Sequence, residues 1–323
     1  MALTDEDLIE VPGLLSRWVR LASGARAHYM TAGESGPAVV LLHGGIVGSS
    51  GTAGWRFMAP YLGAHGFRVY CPDQPGFGLS DTAPEHRPVG LTSHVDFLAE
   101  FATALCLDRF HLAGNSMGCA NTVNFVCAHP ERVISFALIA GPVGDVAPHV
   151  TLGARDQGKV FGFDGRPESM RRMMEAIIYR PGVISEDLIE MRTRAARRQA
   201  ESYPAIPPSL MGYVSGTAGP AQTAKLATRG RIDRCAIPGI FLYGRQDVVL
   251  PVEKGYEIED SLPEVQFFYP DECGHQGQTD QPDMFNEVFL EFFRDGRISR
   301  KTADWAGVST RRPELATLVE PAT

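Results

Sequence analysis

From residue 38 onward, short unbroken apolar runs alternate with segments of helical periodicity. AVVLLHGG (38–45), RVYCPDQPG (68–76), RFHLAGNS (109–116) and RVISFALIAGP (132–142) each read as a strand buried on both faces, the habit of a parallel sheet. WRFMAPYLGAHG, LTSHVDFLAEFATALCL and MGCANTVNFVCAHP fall between them and predict helices, the last stopped by Pro130. Upstream, RWVRLA and RAHYMTAG predict an antiparallel pair turned at Ser23 and Gly24. Strand and helix in strict alternation predict an α/β protein with a mostly parallel, doubly wound sheet.

Between about 145 and 234 the strand signal stops, and only helical pieces remain, ESMRRMMEAIIY, EDLIEMRTRAARRQAESY and PAQTAKLATRG. The sheet pattern then resumes in IPGIFLYGRQD and VQFFYPD, with helices at EKGYEIEDSL and PDMFNEVFLEFFRDG. The expected organisation is one core built from 1–144 and 235–296, an inserted helical cap at 145–234, and a polar arm at 297–323. Trp305 is the one large apolar residue that stands out as an anchor for the arm.

A formal net charge of -8 and a pI near 5.6 leave no basic surface for nucleic acid, which is excluded as a partner. No stretch approaches the roughly 18 apolar residues of a membrane span, and the acidic start MALTDEDLIE lacks the form of a secretory signal. A cytoplasmic protein acting on a small molecule is expected. The six cysteines lack metal-binding spacing, so free thiols and no metal site are expected.

GNSMG (114–118) has the G-x-S-x-G spacing and lies where a buried strand meets a helix, the context of a nucleophile elbow. Ser116 is the candidate nucleophile; the plainer alternative is a serine that caps the helix. A serine hydroxyl needs a base, and the base an orienting carboxylate. His275 follows the last strand and is the candidate base, while His43, His65, His94, His111 and His129 have ordinary structural readings. Asp247, after the strand in IPGIFLYGRQD, is the candidate acid, with Asp145 as rival and Asp271 disfavoured by its nearness to His275 in sequence. Gly44 and Gly45 in HGG, with the N–H of Met117, are candidates for holding an oxyanion.

LLHGG, DQPGFGLSD, GNSMG, YGRQDVVLP and CGH fall in order across residues 38–296, and the chain resembles the α/β-hydrolase superfamily. Within it, HGG, DQPGFG and the late CGH are similar to the meta-cleavage product hydrolases, which split carbon–carbon bonds of vinylogous 1,5-diketones. The resemblance implies an α/β-hydrolase fold with a cap inserted after the sixth strand, a Ser-His-Asp mechanism without metal or organic cofactor, and a homodimer or larger homo-oligomer. It also implies that Arg192, in SEDLIEMRTR, binds the substrate carboxylate; an exposed helix face shared with Arg194, Arg197 and Arg198 is the alternative. Asn115 and Gln276 complete the expected substrate contacts. The chain departs from the family at Gln276, where Trp is common, and in the loop IVGSSGTAG. Those departures keep a carboxylesterase or lactonase open, and more remotely a ligand-binding receptor.

Overall fold

The computed structural model describes residues 3–4, 6–81, 85, 91–143, 159–205, 220–228, 230–262, 264–313 and 317–321. Eight strands form one sheet: β1 (Leu15–Arg20), β2 (Arg26–Ala32), β3 (Ala38–Leu42), β4 (Arg68–Pro72), β5 (Phe110–Asn115), β6 (Val133–Ile139), β7 (Gly239–Leu242) and β8 (Val265–Phe268). Their spatial order is β1-β2-β4-β3-β5-β6-β7-β8. β1 and β2 pair antiparallel, as does β2 with β4, and every other pair is parallel. The crossover at β3, between β4 and β5, is where an open sheet of this kind leaves a crevice beyond its strand ends.

The helices on the core are α1 (Gly51–Trp55), α2 (Met58–Ala64), α3 (Leu91–Ala104) and α4 (Met117–Ala128). β3 shows why its apolar run is unbroken. Ala38, Val40 and Leu42 join the layer filled by Leu98 and Phe101 of α3 and Val123 of α4. Val39 and Leu41 join the opposite layer with Leu62 of α2. Alternate side chains thus meet different helices, and burying each contributes about 1.5–3 kcal/mol.

The segment predicted as one helix from Trp55 is two. α1 ends at Trp55 and α2 begins at Met58. Pro60 explains the break, because its ring would collide with the carbonyl four residues back if the helix ran through. α1 instead starts early, at Gly51, with the Ser50 hydroxyl accepting from Ala53 N.

Inserted between β6 and β7 are α5 (Pro167–Ile177), α6 (Glu186–Arg198), α7 (Pro220–Leu226) and α8 (Ile232–Cys235). α8 spans the expected cap boundary at 234 and packs on α4, where Arg231 donates to Cys127 O at 3.1 Å. The core closes with α9 (Val252–Ser261), α10 (Gly277–Asp280) and α11 (Pro282–Asp295), followed by α12 (Arg300–Trp305) in the arm.

Trp305 is not the arm's anchor: it is 52% exposed. Ile298, Ala303, Ala306 and Val319 take that part, buried in the α11 layer, while Val308 bridges to Phe268 and Val319 to Ile298. All six cysteines are free, and Cys71, Cys119 and Cys273 are buried. Among the described residues no helix is long and apolar enough to cross a membrane, and no group of His, Cys, Asp or Glu is arranged to hold a metal.

Candidate active site

Ser116 stands between β5 and α4 with φ 56° and ψ -119°, a conformation that persists only where the surroundings impose it. The imposing contacts are glycine approaches. A Cβ on Gly114 would lie 2.1 Å from Gly118 O, and one on Gly118 would lie 2.3 Å from Leu42 O. Strand, turn and helix therefore close only with glycine at both positions. The Ser116 hydroxyl makes no capping bond to α4, so the plainer reading of this serine does not describe it.

His275 follows β8 and is buried. Its Nδ1 lies 2.8 Å from Asp247 Oδ2, in the loop after β7. Asp247 Oδ1 accepts from Val249 N at 2.8 Å and Leu250 N at 2.9 Å, which fixes the carboxylate plane. With Nδ1 committed to Asp247, Nε2 is the free nitrogen, and it has no hydrogen-bond partner. The disfavoured Asp271 faces elsewhere: it is exposed and accepts from Gln246 Nε2. Asp145 lies outside the described residues.

Gly44 reaches the nucleophile closely, since a Cβ there would be 3.2 Å from Ser116 Cβ. His43 Nδ1 lies 2.7 Å from Gly44 O, and Gln74 N donates to His43 Nε2 at 3.0 Å. His43 is thus the Nδ1–H tautomer donating to Gly44 O. Burial lowers its pKa to about 4, which keeps it neutral. In a trans peptide the C=O and N–H point opposite ways, so holding Gly44 O turns the Gly45 N–H the other way. Gln74 Nε2 fixes His43 O, and Asn121 holds Gln74 Oε1. Met117 is the first residue of α4, so its N–H, next to Ser116 in the chain, is left without a partner in the helix.

Arg192 is 1% exposed, so the exposed-face alternative does not describe it. Its Nη2 donates to Gln276 Oε1 at 2.8 Å and its Nη1 reaches Ser49 Oγ only at 3.5 Å, while Nε has no partner. No carboxylate pairs with it among the described residues, and burial lowers its pKa to about 10. Arg194 and Arg198 belong to a different face and pair with Asp7. The signal was available in the sequence: Leu188, Ile189, Met191, Arg192, Ala195 and Ala196 form the buried stripe of α6.

Asn115 is buried, and its Nδ2 donates to Ile139 O at 3.0 Å and His275 O at 3.1 Å. It ties the elbow to the histidine loop. Two groups escaped sequence reasoning. Arg56 at the end of α1 is buried, and its Nη2 lacks a partner. Asp280 accepts from Gly274 N at 2.8 Å and Arg180 N at 2.7 Å, and His275 N donates to Ile177 O at 2.9 Å. Those bonds bolt the histidine loop to the cap. Neither residue sits in a motif, and α10 is too short to show periodicity.

The alpha/beta hydrolase fold family model matches residues 37–282. A 2-hydroxy-6-oxo-6-phenylhexa-2,4-dienoate hydrolase from Comamonas testosteroni is 31% identical over 83% of this chain and 91% of its own. A 2-hydroxy-6-oxononadienedioate/2-hydroxy-6-oxononatrienedioate hydrolase from Paraburkholderia phymatum is 29% identical over 86% of this chain and 95% of its own. Among solved structures, the 2-hydroxy-6-oxo-6-phenylhexa-2,4-dienoate hydrolase of Rhodococcus sp. strain RHA1 superposes with a TM-score of 0.70 at 27% identity, covering 87% of this chain and 99% of that one. With a sheet, an elbow and a strand-end His–Asp pair in the order found here, and that model matching most of its length, the chain belongs to the α/β-hydrolase family.

Proposed function

We propose that this hydrolase cleaves the carbon–carbon bond of a 2-hydroxy-6-oxo-dienoate, with Ser116, His275 and Asp247 as its triad. The observation that carries the reading is Arg192. A guanidinium buried from water with no carboxylate paired to it among the described residues is costly unless an anionic ligand completes the site, and the acid end of such a substrate is that ligand. The relatives named above act on dienoates of this class.

The reaction begins by ketonisation: the enol O–H proton is released and a proton is added to the carbon next to the distal ketone. Ser116 Oγ, or water that it helps activate, then adds to that ketone while His275 Nε2 takes the proton. The Gly45 and Met117 N–H groups, with Gly44 giving close access, hold the oxyanion. When the carbon–carbon bond breaks, its electron pair leaves on the dienolate, and His275 returns the proton there. The products are a carboxylic acid and a 2-hydroxy-dienoic acid; if serine has added, water first releases the acyl group. Asn115 positions His275 through its carbonyl, and Gln276 orients Arg192.

The same triad would hydrolyse an aryl ester or lactone, and Gln276 in the place of the family's common Trp is the observation that favours this second reading. Incubation with a 6-phenyl dienoate and with a neutral aryl ester separates the two. Loss of the dienoate chromophore with release of benzoate supports carbon–carbon cleavage; turnover of the ester alone would replace it. Assembly as a homodimer or larger is part of the proposal and is read by sedimentation.

A further inference from the structure

We infer that Arg56 is a second guanidinium of the acid-end subsite, which makes the subsite one for two adjacent negative charges, a carboxylate beside an ionised enol or second carboxylate oxygen. This rests on the proposed reading for the reaction but not for the site itself. α1 packs between α6, which carries Arg192, and α10, which follows His275. Arg56 leaves the end of α1 buried, its guanidinium carbon 4.2 Å from the centroid of the Phe57 ring, with Nη1 on Ala53 O at 3.0 Å and on Thr279 Oγ1 only at 3.5 Å. Its Nη2 has no acceptor, and neither has Arg192 Nε or the indole Nε1 of Trp55 on α1. Among the described residues, three buried N–H donors around one short helix are without partners.

A brace for the end of α1 would account for the Ala53 bond and the Phe57 contact. It would not account for a second buried cation, unpaired with any carboxylate among the described residues, near enough to Arg192 to feel it. Burial first and repulsion from Arg192 second lower the Arg56 pKa to about 9. Two like charges kept together out of water, eased only by the Phe57 ring over Arg56, are costly, and an anion that both can reach removes that cost. A single carboxylate neutralises one guanidinium; a vicinal dianion answers both, and each charge-assisted bond made away from water is among the stronger kind.

The probes are oxalate, a vicinal dianion, and acetate, titrated calorimetrically into the intact protein so that no turnover is needed. Wild type should bind oxalate at least about 10-fold more tightly than acetate. Arg56→Gln should weaken oxalate about 10- to 100-fold, the range of a lost charge-assisted hydrogen bond, and acetate less than about 3-fold. Arg56→Lys, which keeps the charge but not the fork, should fall between them and serves if the Gln variant does not fold. Unchanged oxalate affinity in a folded Arg56 variant, or equal affinity of wild type for both anions, overturns the inference. Oxalate binding that follows Arg56 in a protein that leaves dienoates intact would overturn the reaction and leave the subsite standing. Dienoate cleavage with Arg56-independent oxalate binding would do the reverse.

Discussion

Arg192 of the cap and Gln276 beside His275 are joined by a 2.8 Å hydrogen bond. Through it the guanidinium is oriented by the loop that carries the candidate base. Gln199 adds to the seam, accepting from Gly48 N at 3.0 Å and donating to Ser49 O at 2.8 Å in the loop after HGG. The segment between β6 and β7 is thus held to both the loop that carries His275 and the loop after HGG.

Arg192→Ala is expected to lower kcat/KM on a carboxylated dienone by on the order of 2–4 kcal/mol of transition-state stabilisation, because the charge-assisted bonds are made in a buried site. A neutral aryl ester should lose far less. An equal, small loss on both substrates would remove the carboxylate role.

Ser116→Ala and His275→Ala should each reduce kcat/KM by about three orders of magnitude or more, as loss of a triad member does. Ser116 makes no capping bond to α4, so its alanine variant should melt close to wild type. A folded Ser116→Ala protein with near-normal turnover would end the assignment.

Asp247→Asn tests orientation in place of charge alone. The Asn carbonyl can keep the Val249 and Leu250 N–H bonds, so the loop should hold. Its amide would donate to His275 Nδ1, forcing the proton to Nε2 and blocking the base. A fall in kcat of about 10⁴ with an unchanged fold is expected. If activity survives, another carboxylate orients His275.

Strands β3, β5, β7 and β8 were legible because burial on both faces writes a continuous apolar run, and Ser116, Asp247 and His275 stood out as candidates because each follows such a run. Side chains whose role is made by tertiary neighbours were not. Arg56 reads as one more charge after a tryptophan until α10 and Arg192 stand beside it. Trp305 misled because size suggested an anchor, whereas α12 is short and turns its small Ala303 inward. The early start of α1 was hidden because Gly51 and Gly54 are poor helix formers, and its cap is Ser50.

Asp280 carries a pH dependence. Burial raises its pKa from the ordinary carboxylate range to about 6, against the opposing effect of backbone N–H donors and the nearby Arg180 charge. Between about pH 4 and 6 the native state therefore retains a proton that the unfolded chain has lost. Stability contributed by this group is highest at the acidic side and falls as pH rises through that window, by about 3 kcal/mol, levelling above it. Asp280→Asn cannot titrate, so the stability difference between wild type and variant should shrink as pH rises from 4.5 to 7. The variant should also be less stable at the acidic end, since an amide has one acceptor oxygen for the N–H groups of Gly274 and Arg180. Urea midpoints taken across that range measure both effects. A difference that stays constant with pH would show that Asp280 is ionised throughout, and that its bonds to the cap and the His275 loop are made by a carboxylate at every pH tested.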